Sequence, residues 1–193
     1  MYGKLNVCVA VALAIASGVG AVAANAQNIE EKVQICATCH GDDGKPIDKT
    51  IPAIWGQQQG YIYIQLRDFK RGDRRNDVMQ PIASSMERGD MLAIAEYFSK
   101  KRWPDLVQPR APKEIANRAL RANSSIGCTG CHLDQFQGDG TVPRLAGMSR
   151  DYLTKAMEDF RTRARGNNPG MSDLMLATAP EDMAALAEYL SGL

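Results

Sequence analysis

The chain has 193 residues, 45% hydrophobic and 23% charged, with 23 Lys and Arg against 22 Asp and Glu. That length suits one or two small domains, and the composition excludes wholesale disorder. A net charge of +1 leaves no global field for nucleic acid or an acidic membrane.

The segment 1–26 reads as an export signal. Lys4 supplies the positive end, Val7 to Ala16 is an unbroken apolar stretch, and Ala24-Asn25-Ala26 is a small-x-small cleavage site. The rival reading is an uncleaved anchor, because Val7 to Ala24 runs without a charge and is of borderline length for a bilayer span. Cys8 lacks the small residues that precede a lipid attachment site and leaves with the signal. Cleavage after Ala26 leaves 22 basic and 22 acidic residues, four Cys and two His. Four Cys in an exported chain ordinarily suggest two disulfides; here their spacing argues otherwise.

Asn28-Ile29-Glu30-Glu31 reads as an N-cap with Glu at N3, opening a helix that runs into Cys36-Ala37-Thr38-Cys39-His40. Tyr61 to Lys70 forms the next helix, followed by the basic cluster Lys70, Arg71, Arg74 and Arg75. Met91, Ile94, Ala95 and Phe98 recur at helical spacing and mark a core-facing helix. Pro104, Pro109 and Pro112 punctuate a linker over residues 101–112. Pro112 opens a helix over Lys113 to Asn123 ahead of Cys128-Thr129-Gly130-Cys131-His132. Tyr152 to Arg163 is a further helix, carrying Arg161, Arg163 and Arg165 at or beyond its end. Met183, Leu186, Ala187 and Leu190 repeat the helical core pattern. No stretch alternates convincingly at period two, so the fold class is all-α.

These elements form one repeat used twice. The motif at Cys36 matches that at Cys128; Ile51 to Gly56 matches Val142 to Gly147 at an offset shorter by one, as Tyr61 matches Tyr152. The division is therefore a signal over 1–26, one domain over 27–100, the linker over 101–112 and a second domain over 113–193. The halves carry 13 basic to 12 acidic residues (27–110) and 9 to 10 (111–193), so partner choice depends on local patches. Each basic cluster is either a solvated face or a set of partners for cofactor carboxylates or an acidic redox protein.

Both motifs are C-x-x-C-H, the attachment signature of c-type haem. Two thiols, here Cys36 with Cys39 and Cys128 with Cys131, add to the porphyrin vinyls, and the adjacent His40 or His132 becomes the proximal iron ligand. A thioredoxin-like pair is the rival for a single copy. A zinc site would have to join the two distant motifs, far outside finger spacing. Two covalent haem c groups account for every mature Cys and His.

With no His to spare, the distal ligand is Met, Lys, an amine, water or nothing. Met79 and Met171 follow their histidines at one identical spacing, and Met91 and Met183 at another, whereas Met86 and Met175 have no counterpart. Met91 and Met183 fall on core helix faces, where Met fills space. Met79 and Met171 lie in less regular stretches, from which a loop brings a thioether over the iron. They are the expected axial ligands. Pro52 and Pro143 follow the two histidines in matching places; their carbonyls are candidate acceptors for the proximal ring N–H, or the prolines only stiffen a turn. Trp55 either donates to a haem propionate or packs.

On both C-x-x-C-H motifs, the Pro-x-(Ile/Leu)-x-Gly segments and Val78-Met79-Gln80-Pro81-Ile82-Ala83 before an Asp-Met-x-x-(Ile/Leu)-Ala-Glu-Tyr helix, the chain resembles the dihaem cytochrome c4 family. The second domain's Asn168-Pro169-Gly170-Met171 departs from that pattern. The resemblance implies tandem class I cytochrome c domains, each wrapped around one haem with His/Met ligation, related by a pseudo-twofold. It also implies a periplasmic, non-enzymatic carrier moving electrons from a quinol-oxidising complex or dehydrogenase to a terminal oxidase or other acceptor. The expected partners are redox proteins, with membrane-surface contact arising through their complexes. Two alternatives keep the same haem residues: a dedicated subunit of a periplasmic dehydrogenase, and a haem enzyme with an open iron.

Overall fold

The computed structural model describes the backbone of residues 19–193 and the side chains from Ile29 onward. Residues 1–18, and with them Lys4, Cys8 and most of the export signal, lie outside the described residues. The first half comprises α1 (Val19–His40), α2 (Gln59–Arg71), α3 (Met79–Ser84) and α4 (Arg88–Ser99). The second comprises α5 (Lys113–Ile126), α6 (Thr129–His132), α7 (Arg150–Arg161), α8 (Pro169–Ala177) and α9 (Pro180–Ser191). None of the described helices is long and apolar enough to cross a membrane.

Asn28 does not begin a helix, contrary to its N-cap pattern: α1 already starts at Val19. The preceding segment to Ala26 is rich in Ala, the strongest helix former, and carries the helix through Asn28. The second half treats its motif differently. Gly127 adopts φ +81° and caps α5, so the motif winds on in the short α6. Ile35 occupies the matching position in α1, and the first helix runs unbroken to His40.

Each half owns a core. In the first, α2 packs on α3 and α4, and α1 on α4, around Val33, Ile62, Leu66, Met91, Ile94, Ala95 and Phe98. In the second, α5 and α7 pack on α9, and α7 on α8, around Leu153, Phe160, Met183, Leu186, Ala187 and Leu190. Met91 and Met183 are thus core residues, as their spacing predicts. Phe98 and Leu186 are the largest fully buried side chains, and truncating either to Ala would cost about 2–5 kcal/mol.

Residues 102–112 form no helix, yet this strap is fixed. Trp103 and Leu106 pack against the second core. The Gln108 Nε2 donates to the carbonyls of Met148 (3.1 Å) and Ser191 (3.2 Å), while its Oε1 accepts from the Arg150 N–H (2.9 Å). A Cβ on Gly56 would stand 2.8 Å from the Trp103 nitrogen, and one on Gly147 2.9 Å from its indole nitrogen. The two glycines hold equivalent places in the repeat, so Trp103 is seated between the halves by the absence of their side chains.

Candidate haem sites

Each site starts from a histidine at the end of its Cys motif. His40 and His132 are both buried. The His40 Nδ1–H donates to the Pro52 carbonyl at 2.8 Å, and the His132 Nδ1–H to the Pro143 carbonyl at 2.9 Å. A carbonyl only accepts, so the proton sits on Nδ1 and the Nε2 lone pair is left free. Burial pushes both imidazoles below the ordinary histidine range, with the bond to the proline opposing it. Both rings are neutral as an iron ligand requires.

The cysteines fit the same chemistry. Burial pushes the Cys36 thiol up to about 11 and raises that of Cys128. A thioredoxin-like pair needs a depressed thiol, so the redox-pair alternative finds no support. No three His, Cys, Asp or Glu side chains converge as a metal site among the described residues.

Met79 and Met171 do not lie in loops. Met79 begins α3, and Met171 sits in the first turn of α8. Each backbone is held by an asparagine three residues earlier: Asn76 Oδ1 accepts from the Met79 N–H (2.9 Å) and Asn168 Oδ1 from the Met171 N–H (3.1 Å). Asn168 thus caps α8, and Asn76 holds the turn that leads into α3; hydrophobic spacing alone does not register that order. Met79 packs against the first core together with Cys36 and Trp55. Met171 packs against the second together with Cys128. Trp55 covers Gly44, where a Cβ would approach its ring to 2.7 Å, and carries Lys101 Nζ 5.5 Å above its centroid.

Residues 124–193 match the Cytochrome c family model. Cytochrome c4 of Pseudomonas aeruginosa is 30% identical over 92% of this chain and 92% of its own length. The chain belongs to the cytochrome c4 family. The thiosulfate dehydrogenase electron acceptor of Stutzerimonas stutzeri is 32% identical over 82% of this chain and 78% of its own. Reduced cytochrome c4 from Pseudomonas stutzeri superimposes with a TM-score of 0.76 at 27% identity, covering 87% of this chain and 98% of that one. The chain is therefore an electron-transfer protein of tandem cytochrome c domains that binds haem c covalently.

The two halves of the chain meet across a polar network that no local sequence pattern reveals. Arg165, 7% exposed, donates to Tyr61 Oη (3.0 Å), Gln65 Oε1 (2.9 Å) and Asn167 Oδ1 (3.1 Å). Its repeat counterpart, Arg74, donates to Gln65 Oε1 (2.8 Å) and Tyr152 Oη (3.3 Å). Each guanidinium also stacks on an equivalent ring: Arg74 on Phe69 at 4.6 Å, and Arg165 on Phe160 at 4.3 Å. Asp68, the buried acid nearby, receives Arg67 and Asn167 instead.

Neither Arg74 nor Arg165 has a carboxylate partner among the described residues. Arg165, the buried one of the two, requires a counter-charge. Burial raises the Tyr152 phenol, yet the adjacent Arg74 and Arg165 charges bring it down to about 8, a sign of surplus positive potential. The donor set fits haem propionates. Three further members of the basic clusters serve elsewhere: Lys70 donates to the Met86 carbonyl (2.6 Å), Arg71 pairs with Asp73 and Arg163 with Asp173.

Proposed function

We propose that this cytochrome is a periplasmic carrier with two haem c groups, exported by a signal cleaved after Ala26 and divided into domains over 27–100 and 113–193 with the linker at 101–112. Cys36, Cys39, Cys128 and Cys131 hold the porphyrins covalently. His40 with Met79, and His132 with Met171, ligate the two irons. Pro52 and Pro143 fix the proximal rings, Trp55 packs at the first site, and Arg74 and Arg165 receive propionates. The observation carrying this reading is the duplicated His–Pro hydrogen bond, at 2.8 and 2.9 Å, with an Asn-held methionine at one identical spacing after each histidine.

The haem iron supplies one-electron chemistry. The chain's part is to keep each imidazole neutral and oriented, and to offer a soft thioether that favours ferrous iron and raises the potential. With His40 and His132 both on iron, no histidine is left for acid–base work, which suits a carrier. Electrons pass from a quinol-oxidising complex or dehydrogenase to an oxidase or other acceptor. A second reading, service to one particular dehydrogenase, is favoured by the relative named as a thiosulfate dehydrogenase electron acceptor. Spectra of the purified protein test the ligation: two low-spin haems per chain with a sulfur-to-iron band are expected. One haem per chain, or a high-spin component at rest, refutes it. Co-purification of a stoichiometric dehydrogenase selects the second reading over the first.

A further inference from the structure

The two proximal histidines look equivalent, but the peptides that receive their hydrogen bonds do not. The His132 acceptor is the Pro143 carbonyl, and the N–H of that same peptide unit belongs to Arg144. That N–H donates across the interface to Gln57 Oε1 at 2.7 Å. Gln57 Nε2 then donates back to the Arg144 carbonyl at 3.0 Å. Gln57 Oε1 also accepts from the Gln58 N–H at 2.9 Å, so two donors fix the orientation of the amide. The side chain is only 3% exposed. A continuous chain therefore runs from the His132 ring through the Pro143–Arg144 peptide to a side chain of the other half.

The repeat breaks here. Gln57 corresponds to Met148 at the same offset that pairs Tyr61 with Tyr152. Met148 is buried in the same apolar cluster as Ala53, the counterpart of Arg144. A thioether in that place cannot serve as the amide does, and the Ala53 N–H makes no hydrogen bond among the described residues. The acceptor peptide of His40 is therefore unpolarised, while that of His132 is polarised by Gln57.

We propose that Gln57 is a positioning residue for the second haem. Acting through the Pro143–Arg144 peptide, it orients His132 and strengthens its Nδ1–H bond. Hydrogen bonds in a chain polarise one another. A better acceptor at Pro143 O gives His132 more imidazolate character, and a more basic ligand favours ferric iron. Gln57 thus lowers the potential of the second haem and leaves that of the first alone. The inference rests on the ligation proposed above.

The test is a haem-resolved redox titration of the loaded, full-length protein, with the ring N–H protons followed by NMR in the ferrous state. Gln57→Met, which copies Met148, should raise only the second haem's potential. An equilibrium shift of about threefold corresponds to about 28 mV for one electron. The His132 Nδ1–H signal should move upfield while that of His40 stays. Gln58→Ala is the control: it removes bonds to the Gln137 and Gly138 carbonyls of the same interface without touching the Pro143–Arg144 peptide. It should leave both potentials in place.

Equal shifts from both variants, a shift at the first haem, or no shift at all would overturn the proposal. Should Gln57→Met not fold, the unsubstituted protein still decides. There, the His132 Nδ1–H must resonate downfield of the His40 Nδ1–H, and the reverse order refutes the polarisation. Failure of the ligation itself would show separately, as a missing sulfur-to-iron band before any variant is made.

Discussion

Replacing Arg165 with Leu removes the centre of the polar interface while keeping much of the side-chain volume. Three hydrogen bonds disappear, to Tyr61, Gln65 and Asn167, together with the stacking on Phe160. Gln65 Oε1 retains Arg74 and Asn167 as donors, so it is not left stranded. Hydrogen bonds from a charged donor contribute about 1.5–3 kcal/mol each, but relieving the burial of the cation returns part of that. The expected net loss is about 3 kcal/mol, or about 6–12 °C in Tm for a chain of this size. Arg74→Leu should cost only about 1 kcal/mol, because Arg74 makes two such bonds, one of them long at 3.3 Å, from a less buried position. Urea unfolding of the haem-loaded protein, followed by circular dichroism, measures both. A loss below about 0.5 kcal/mol for Arg165→Leu, or an equal loss for Arg74→Leu, would refute the assignment of Arg165 as the interface's principal cation.

Met79→Ala and Met171→Ala should each remove about half of the sulfur-to-iron band and make one iron high-spin and open to carbon monoxide; an unchanged spectrum would reject that ligand. Asn168→Ala should cost about 1 kcal/mol as a lost cap and accelerate carbon monoxide binding at the second haem, which stopped-flow photometry reads. Gly138→Ala should lower Tm by several degrees, since Gly138 sits at φ +65° and a Cβ there would collide with the Val142 carbonyl oxygen; an unaltered melt would contradict the close packing of the segment after His132. Tyr152, pulled to about 8 by Arg74 and Arg165, should return toward the ordinary tyrosine range once propionates neutralise those charges. Any stability gained on raising the pH from about 8 towards 10 would then vanish. Ultraviolet titration of the loaded protein checks this, and ionisation near 8 would place the propionates elsewhere.

Much of the haem chemistry is legible because it is local. A two-residue spacer with an adjacent histidine is read from five letters, and the helical spacing of Met91 with Ile94, Ala95 and Phe98 marks a buried face without further information. The asparagines that hold the methionines are also present in the sequence. Asn76 and Asn168 each stand three residues before a methionine, a pattern that hydrophobic spacing alone passes over. Gln57, Gln65 and Asn167 are a different matter. Each is an unremarkable polar residue whose partner lies 87 to 102 residues away. Their burial follows from how the halves dock, and no local pattern carries that. The start of α1 departs from its cap pattern for a related reason: a good cap loses to a helix that has already begun upstream.

The strap between the halves has a hydrodynamic consequence. A proline-rich segment of this kind ordinarily lets two domains reorient separately. Here Trp103 is keyed between Gly56 and Gly147, and Gln108 bonds to the backbone at Met148, Arg150 and Ser191. The two halves should therefore tumble with a single rotational correlation time in backbone relaxation measurements. An electron crossing between them would meet the same distance on every passage, so the internal transfer rate should be indifferent to solvent viscosity and to protein concentration.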